Sequence, residues 1–260
     1  MEANRAANEI GIGSTSAMAD AIRAEDAGPA SACVEIGPTS AIRAVIFDMD
    51  GVLVDSEPIY FEIEQASFSY YGIHMVEEEQ HQFVGITPEE MWRQVKSRYA
   101  LSPSVAELAA FHQSNVLKAI ERHPKLTPMP QAAAFLHRLK QRGIPVAVAS
   151  SSPMALIELM LTRIGLREKF DAIASGEEVR QGKPAPDIFL LAAARLGFES
   201  NACLVVEDSS NGVKAAKAAG MACAGFRNPH SGNQDLSLAD WIVEEYGRFA
   251  TDIYKSKGAG

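Results

Sequence analysis

Two aspartates separated by a single residue, Asp48 and Asp50, follow four apolar residues, Ala44-Val45-Ile46-Phe47, and precede Gly51. An apolar run without alternation is the pattern of a strand buried on both faces of a parallel sheet. Carboxylates at the end of such a strand are costly unless something pairs them. Two residues apart in extended chain, their side chains share a face. Gly51 lets the backbone turn sharply and come close to a bound group. Two acids on one face, at the carboxyl end of a buried strand, make a site for a hard cation. The plainer alternative, a strand closed by an Asx-turn, accounts for one aspartate but less easily for two followed by Asp55.

Ligands of an open parallel sheet sit beyond the carboxyl ends of its strands. The other strand ends legible in the chain carry Ser150 and Ser151, then Glu207 and Asp208, and Lys183 stands in Gly182-Lys183-Pro184 just ahead of a helix. The serines before Pro153 read equally as an N-cap cluster, although a helix N-terminus with free N–H groups also binds phosphate. Lys183 alone would be a solvated turn lysine, and Glu207-Asp208 alone a strand end with a cap. Together these residues supply what phosphoryl transfer needs: a nucleophile, ligands for magnesium, donors to an anion and an acid for the leaving group.

The elements that must position them alternate. Apolar strands are expected at 43–47, 144–149, 171–174, 203–206, 221–224 and 241–243, with helices at 131–141, 153–164, 187–196 and 213–219 between them. Such alternation means a parallel sheet with helices on both faces. Between the first two strands the pattern is helical throughout: Ile59, Ile63, Ala66 and Tyr70 recur at helical spacing, Pro88 opens a second run and Pro103-Ser104 a third. The expected fold is α/β, a Rossmann-like doubly wound parallel sheet with an inserted all-helical cap domain. Residues 42–56 and 125–248 form the core and 57–124 the cap. Residues 1–41, rich in Ala, Gly and Ser, read as a disordered extension with a short helix near 17–25, and 249–260 as a tail.

A chain of 260 residues with 47% hydrophobic and 22% charged residues has the composition of a globular enzyme. Its net charge of -9 argues against a nucleic-acid surface. Three scattered cysteines, Cys33, Cys203 and Cys223, suggest no disulfide framework. No apolar run approaches a membrane span, and the acid-bearing N-terminal stretch lacks the pattern of a signal or transit peptide. The expectation is a cytoplasmic protein, a monomer or weak homo-oligomer, whose partner is a small phosphorylated substrate and neither nucleic acid nor membrane. The histidines show no metal spacing and read as surface or packing residues. Tyr60, Tyr70, Tyr71 and Trp92 read as cap core, with Tyr60 near enough to the aspartates to be suspected of more.

The run FDMDGVLVDSEP, continued by SGEEVRQGKPAPD and VVEDSSNG, resembles motifs one, three and four of the haloacid dehalogenase superfamily, and the likeness covers residues 43–243. The resemblance implies Asp48 as nucleophile and Asp50 as general acid/base. Ser150, Ser151 and Lys183 would hold phosphate. Mg2+ would sit on Asp48, Asp50 through its carbonyl, and Asp208, with Glu207 an indirect contributor, and a mobile cap would cover the site. Dehalogenases of the superfamily lack the second aspartate. Phosphonatases use a cap lysine, whereas Lys96 and Lys118 here read as solvated. The likeness is strongest to the sugar-phosphate phosphatases and the beta-phosphoglucomutases. The mutases carry a histidine where Tyr60 stands and an arginine where Pro88 follows Gly85-Ile86-Thr87, and DSEP is similar to hexose and hexitol phosphatases. The implied function is a magnesium-dependent phosphatase of small phosphorylated metabolites acting through an aspartyl-phosphate. A mutase is the alternative, and a module that holds a phosphorylated ligand without turnover a third reading.

Overall fold

The structure is a computed structural model that describes residues 42–249, apart from Gly85 and Lys125. The expected N-terminal extension, Cys33 and the tail beyond Phe249 lie outside the described residues. Six parallel strands form one sheet: β1 (Ala44–Phe47), β2 (Val146–Ser150), β3 (Ala172–Ser175), β4 (Cys203–Glu207), β5 (Ala222–Phe226) and β6 (Trp241–Val243). Their spatial order is β3-β2-β1-β4-β5-β6, so β1 lies inside the sheet between β2 and β4. The order reverses direction at β1, which puts the crevice where loops part directly over its carboxyl end.

Successive residues of β1 enter opposite layers, as period two requires. Val45 and Phe47 join the apolar cluster on one face with Val148 and Val206, and Ala44 and Ile46 join the other with Ala147 and Val205. Phe47 meets Phe135 and Phe170 edge-on, with centroids 6.0 and 6.2 Å apart. Its full burial stabilises the fold by about 1.5–3 kcal/mol. Met49 is also fully buried; it anchors the chain between Asp48 and Asp50 while both aspartates face the crevice.

The chain between β1 and β2 is helical, as its pattern requires: α1 (Glu57–Tyr70), a single turn α2 (Glu77–Gln80) running into a 3-10 turn (His81–Phe83), α3 (Pro88–Tyr99), α4 (Val105–Arg122) and α5 (Ala132–Gln141). Pro88 takes the first turn of α3, where its missing N–H costs nothing, and Thr87 caps the helix by accepting from Glu90 N. Ser104 and Glu107 form a capping box on α4. Phe68, Met91, Trp92, Val95 and Leu108 bury a cluster of their own, separate from the sheet clusters. The turn at 77–83 is too short to show helical periodicity, and the sequence did not reveal it.

Helices α6 (Met154–Arg163), α7 (Asp187–Leu196) and α8 (Ser210–Ala218) complete the layers. Helix α8 starts three residues earlier than its apolar pattern, because the Ser209 hydroxyl accepts from Gly212 N and closes the first turn. Three expectations are corrected. Phe249, assigned to the tail, is buried 5.4 Å from the ring of Phe135. Tyr70, assigned to the helical core, is 71% exposed and stacks on Phe111 instead. Lys96 is no solvated lysine: its ammonium donates to the carbonyls of Leu101 and Pro103 and ties down the end of α3.

Candidate active site

Asp48 follows the last residue of β1, with its backbone N–H bonded to Val206 O of β4 at 2.9 Å. The carboxylate accepts from the Lys183 ammonium, which also donates to Glu207 Oε1 at 2.7 Å. All three are buried. Burial raises the Asp48 pKa; Lys183 opposes the rise, Glu207 and Asp50 add to it, and the net value is about 7. Burial alone would lower Lys183, but Asp48 and Glu207 outweigh it and hold the ammonium above its ordinary range. The lysine therefore stays charged, and the nucleophile candidate carries more negative charge around it than one lysine neutralises.

Asp50 stands among hydroxyls. Ser56 Oγ donates to Oδ1 at 2.6 Å, Ser152 Oγ to Oδ2 at 3.3 Å, and Ser150 Oγ to Oδ2 at 3.5 Å. Burial raises its pKa, while Ser56, Tyr60 and Ser152 pull in the other direction by bonding to the charged form. A carboxyl held up by burial and oriented by fixed hydroxyls is suited to move a proton.

Gly51 lets the next acid approach. Its φ is +73°, and a Cβ there would lie 2.0 Å from Asp208 Oδ2. Asn228 Nδ2 bonds to Gly51 O at 3.2 Å, and Ser231 Oγ donates to Asp208 Oδ2. Gly51→Ala should thus strain the turn and push Asp208 aside. We expect a loss of about 1–3 kcal/mol in urea unfolding, with unchanged m, and the disappearance of most phosphate release. Wild-type stability and activity in that variant would show the close approach to be unimportant.

The sequence-predicted residues divide into two groups. Asp48, Asp50, Ser151 and Asp208 line one cavity of about 500 Å3. Lys183 borders an adjoining cleft that shares Ser151 with it. Ser150 is turned inward, taken up by Asp50 and by Ser152 N at 3.1 Å. Glu207 gives one oxygen to Lys183 and the other to Ser209 N and Oγ at 2.6 and 3.0 Å, and a Cβ on Gly212 would overlap it. Both Glu207 oxygens are thus engaged, and the side chain supports Lys183. The sequence missed Ser56, Ser152, Asn228 and Ser231. Ser56 lay within DSEP and Ser152 in the serine run, but Asn228 and Ser231 sit on the loop after β5 with no local signal.

Among the described residues, no three His, Cys, Asp or Glu side chains converge on one point. A magnesium ion does not need three: it binds through one or two carboxylates and fills its shell with water and substrate oxygens. Asp48 and Asp208 line the same cavity and offer hard oxygens, and the surplus of acids over Lys183 leaves negative charge for a cation to offset. The residues present fit the ion.

A family model described as haloacid dehalogenase-like hydrolase matches residues 42–220. The chain belongs to that family of enzymes. Hexitol phosphatase B of Escherichia coli is 35% identical over 188 residues, 69% of this chain and 81% of the relative. A probable pseudouridine-5'-phosphatase of Drosophila melanogaster is 35% identical over 218 residues, 78% of this chain and 92% of the relative. Among solved structures, a mutant of CbbY from Rhodobacter sphaeroides in complex with xylulose-(1,5)bisphosphate superposes with a TM-score of 0.70 at 26% identity, covering 79% of this chain and 95% of that one. The protein is a phosphoric monoester hydrolase.

Proposed function

We propose that the protein is a magnesium-dependent phosphatase of small phosphorylated metabolites, sugar or polyol monophosphates above all. The observation that carries this reading is the pairing of Asp48, tied to Lys183, with a separate Asp50 set among hydroxyls. Asp48 attacks phosphorus as the phosphate ester bond breaks, and the leaving oxygen takes the proton of Asp50. The aspartyl-phosphate on Asp48 is then hydrolysed by a water whose proton returns to Asp50, which restores both carboxyls. Lys183 and Ser151 hold the phosphoryl oxygens, and Glu207 holds Lys183. Asp48, Asp208 and the Asp50 carbonyl would hold Mg2+, which supplies charge stabilisation to the phosphoryl group. Helices α1 to α4 act as a cap that excludes bulk water and reads the leaving group.

The mutase alternative needs cap groups that keep water from the aspartyl-phosphate until a sugar hydroxyl arrives. At the two positions where the resemblance puts mutase cations, this chain has Tyr60, bonded to Met160 Sδ at 3.7 Å, and Pro88, in the first turn of α3. Neither supplies a cation. Given beta-glucose 1-phosphate and catalytic glucose 1,6-bisphosphate, the enzyme should release inorganic phosphate steadily without needing the bisphosphate. Accumulation of glucose 6-phosphate much faster than phosphate would hand the assignment to the mutase.

A further inference from the structure

The cavity above Asp48 and Asp50 has more in its wall than the phosphoryl site uses. Gln80, at the end of α2, is 4% exposed, and neither atom of its amide has a hydrogen-bond partner among the described residues. His112 of α4 is 4% exposed with Nδ1 likewise unpartnered. Both side chains line the cavity, as does the half-buried Glu64 of α1. Buried polar groups are nearly always satisfied, so two such side chains beside one cavity mark places where a ligand or water belongs. Burial pushes His112 down to about 4, so its ring is neutral near pH 7, with one donor and one acceptor. Gln80 offers two donors and an acceptor.

Charge in the chamber is one-sided. Among the described residues that line it there is no lysine or arginine, whereas it holds Asp48, Asp50 and Asp208; Glu62 is exposed and lies 3.7 Å from His123, and burial pushes Glu64 up to about 8, so its carboxyl is protonated near pH 7. Lys183, behind Asp48, is taken up by Asp48 and Glu207. Of the lining histidines, His230 is held 3.0 Å from Asp55 and His81 packs against Gly232. Arg93 and Arg180 border the neighbouring cleft, which shares Ile86, Thr87, Pro88 and Ser151 with the chamber, and Arg93 is paired with Glu90. A second anionic group inside the chamber would find hydrogen-bond partners but no cation, and unpaired buried charge is strongly disfavoured.

We propose that Gln80, His112 and Glu64 form the leaving-group subsite and select a neutral, hydroxyl-bearing group over one that carries a second phosphate or a carboxylate. This rests on the phosphatase reading above and narrows its substrate class to uncharged polyol or sugar monoesters. A site that hydrogen-bonds hydroxyls also discriminates against esters that lack them.

The test compares phosphate release by the full-length protein, with magnesium, from a hexitol 6-phosphate, the hexitol 1,6-bisphosphate, phosphoglycolate and p-nitrophenyl phosphate. We expect kcat/KM for the hexitol monophosphate to exceed that for the bisphosphate and for phosphoglycolate by about 10²-fold or more. Gln80→Met should lower the ratio of hexitol to aryl phosphate turnover by about tenfold. The variant should melt no lower than the parent, because methionine fills the space and removes an unpaired buried amide. Isothermal titration of the same esters into the Asp48→Asn protein gives the preference as binding, without turnover. Equal or better cleavage of the bisphosphate or phosphoglycolate, or an unchanged hexitol-to-aryl ratio in Gln80→Met, overturns the subsite while leaving the phosphatase intact. No release from any ester, the aryl one included, overturns the phosphatase reading and the subsite with it.

Discussion

Replacing Asp48 with asparagine is expected to reduce phosphate release by roughly 10⁴-fold or more, the scale on which removal of a covalent nucleophile acts. The amide keeps the shape of the carboxylate and can still accept from Lys183, but it cannot attack phosphorus. The fold should survive because Lys183 keeps Glu207, 2.7 Å away. Stability should even rise in the absence of divalent cation. Burial, with Glu207 and Asp50 adding to it, lifts Asp48 from an ordinary 3.8 to about 7, Lys183 notwithstanding. An acid whose folded pKa lies above its unfolded value binds more protons folded than unfolded between those two values. It therefore costs the fold stability as pH rises from about 4, and the full cost is reached above about 7. The substituted amide carries no charge and escapes that cost. In metal-free buffer at pH 8, Asp48→Asn should melt no lower than the parent. Its advantage should shrink as pH falls toward 4. Near-parental turnover in the folded variant would remove Asp48 from the role of nucleophile.

The parts of this arrangement that were legible in the sequence are those in which one short segment sets both the element and the chemistry. β1 and β4 are apolar runs that end in acids, so strand, sheet type and the positions of Asp48, Asp50 and Asp208 follow from a few consecutive residues. Lys183 was legible only through its resemblance to a family motif, since a lysine in a Gly-Pro turn has no periodic signature. What the sequence did not show is what folding brings together from afar. Glu207 and Asp208 are neighbours in the chain. Yet Glu207 turns inward to Lys183 and Ser209, while Asp208 meets Gly51 and Ser231 beside the cavity. Nothing in the dipeptide says which is which; the close approach of Gly212 to Glu207 and of Gly51 to Asp208 decides it. Gln80 and His112 were illegible for the same reason. Each lies in a helix whose polar residues mostly face solvent, and only the packing of α1, α2 and α4 turns these two toward a shared cavity.

Removal of divalent metal is the second change expected to have a large effect. The carboxyls of Asp48, Asp50, Glu207 and Asp208 crowd one end of the sheet, with Lys183 the cation bonded to two of them. A phosphate monoester brings further negative charge to that place, so binding and reaction there require a counter-charge. The donors are all oxygen, which suits magnesium better than zinc, whose sites favour nitrogen and sulfur. Treatment with excess chelator should lower turnover by about 10³-fold, equivalent to several kcal/mol of charge stabilisation, and added magnesium should restore it. Calcium should restore it poorly, because its larger and looser shell does not hold the octahedral geometry that magnesium imposes. A readout independent of turnover is available in thermal melting. A cation that binds only the folded site raises the melting temperature with concentration. The increment should vanish in Asp208→Asn, which keeps the bond from Ser231 but gives up the charge. Full activity of metal-stripped protein in excess chelator would show that Lys183 alone offsets the charge of substrate and acids, and the requirement for a divalent ion would fall.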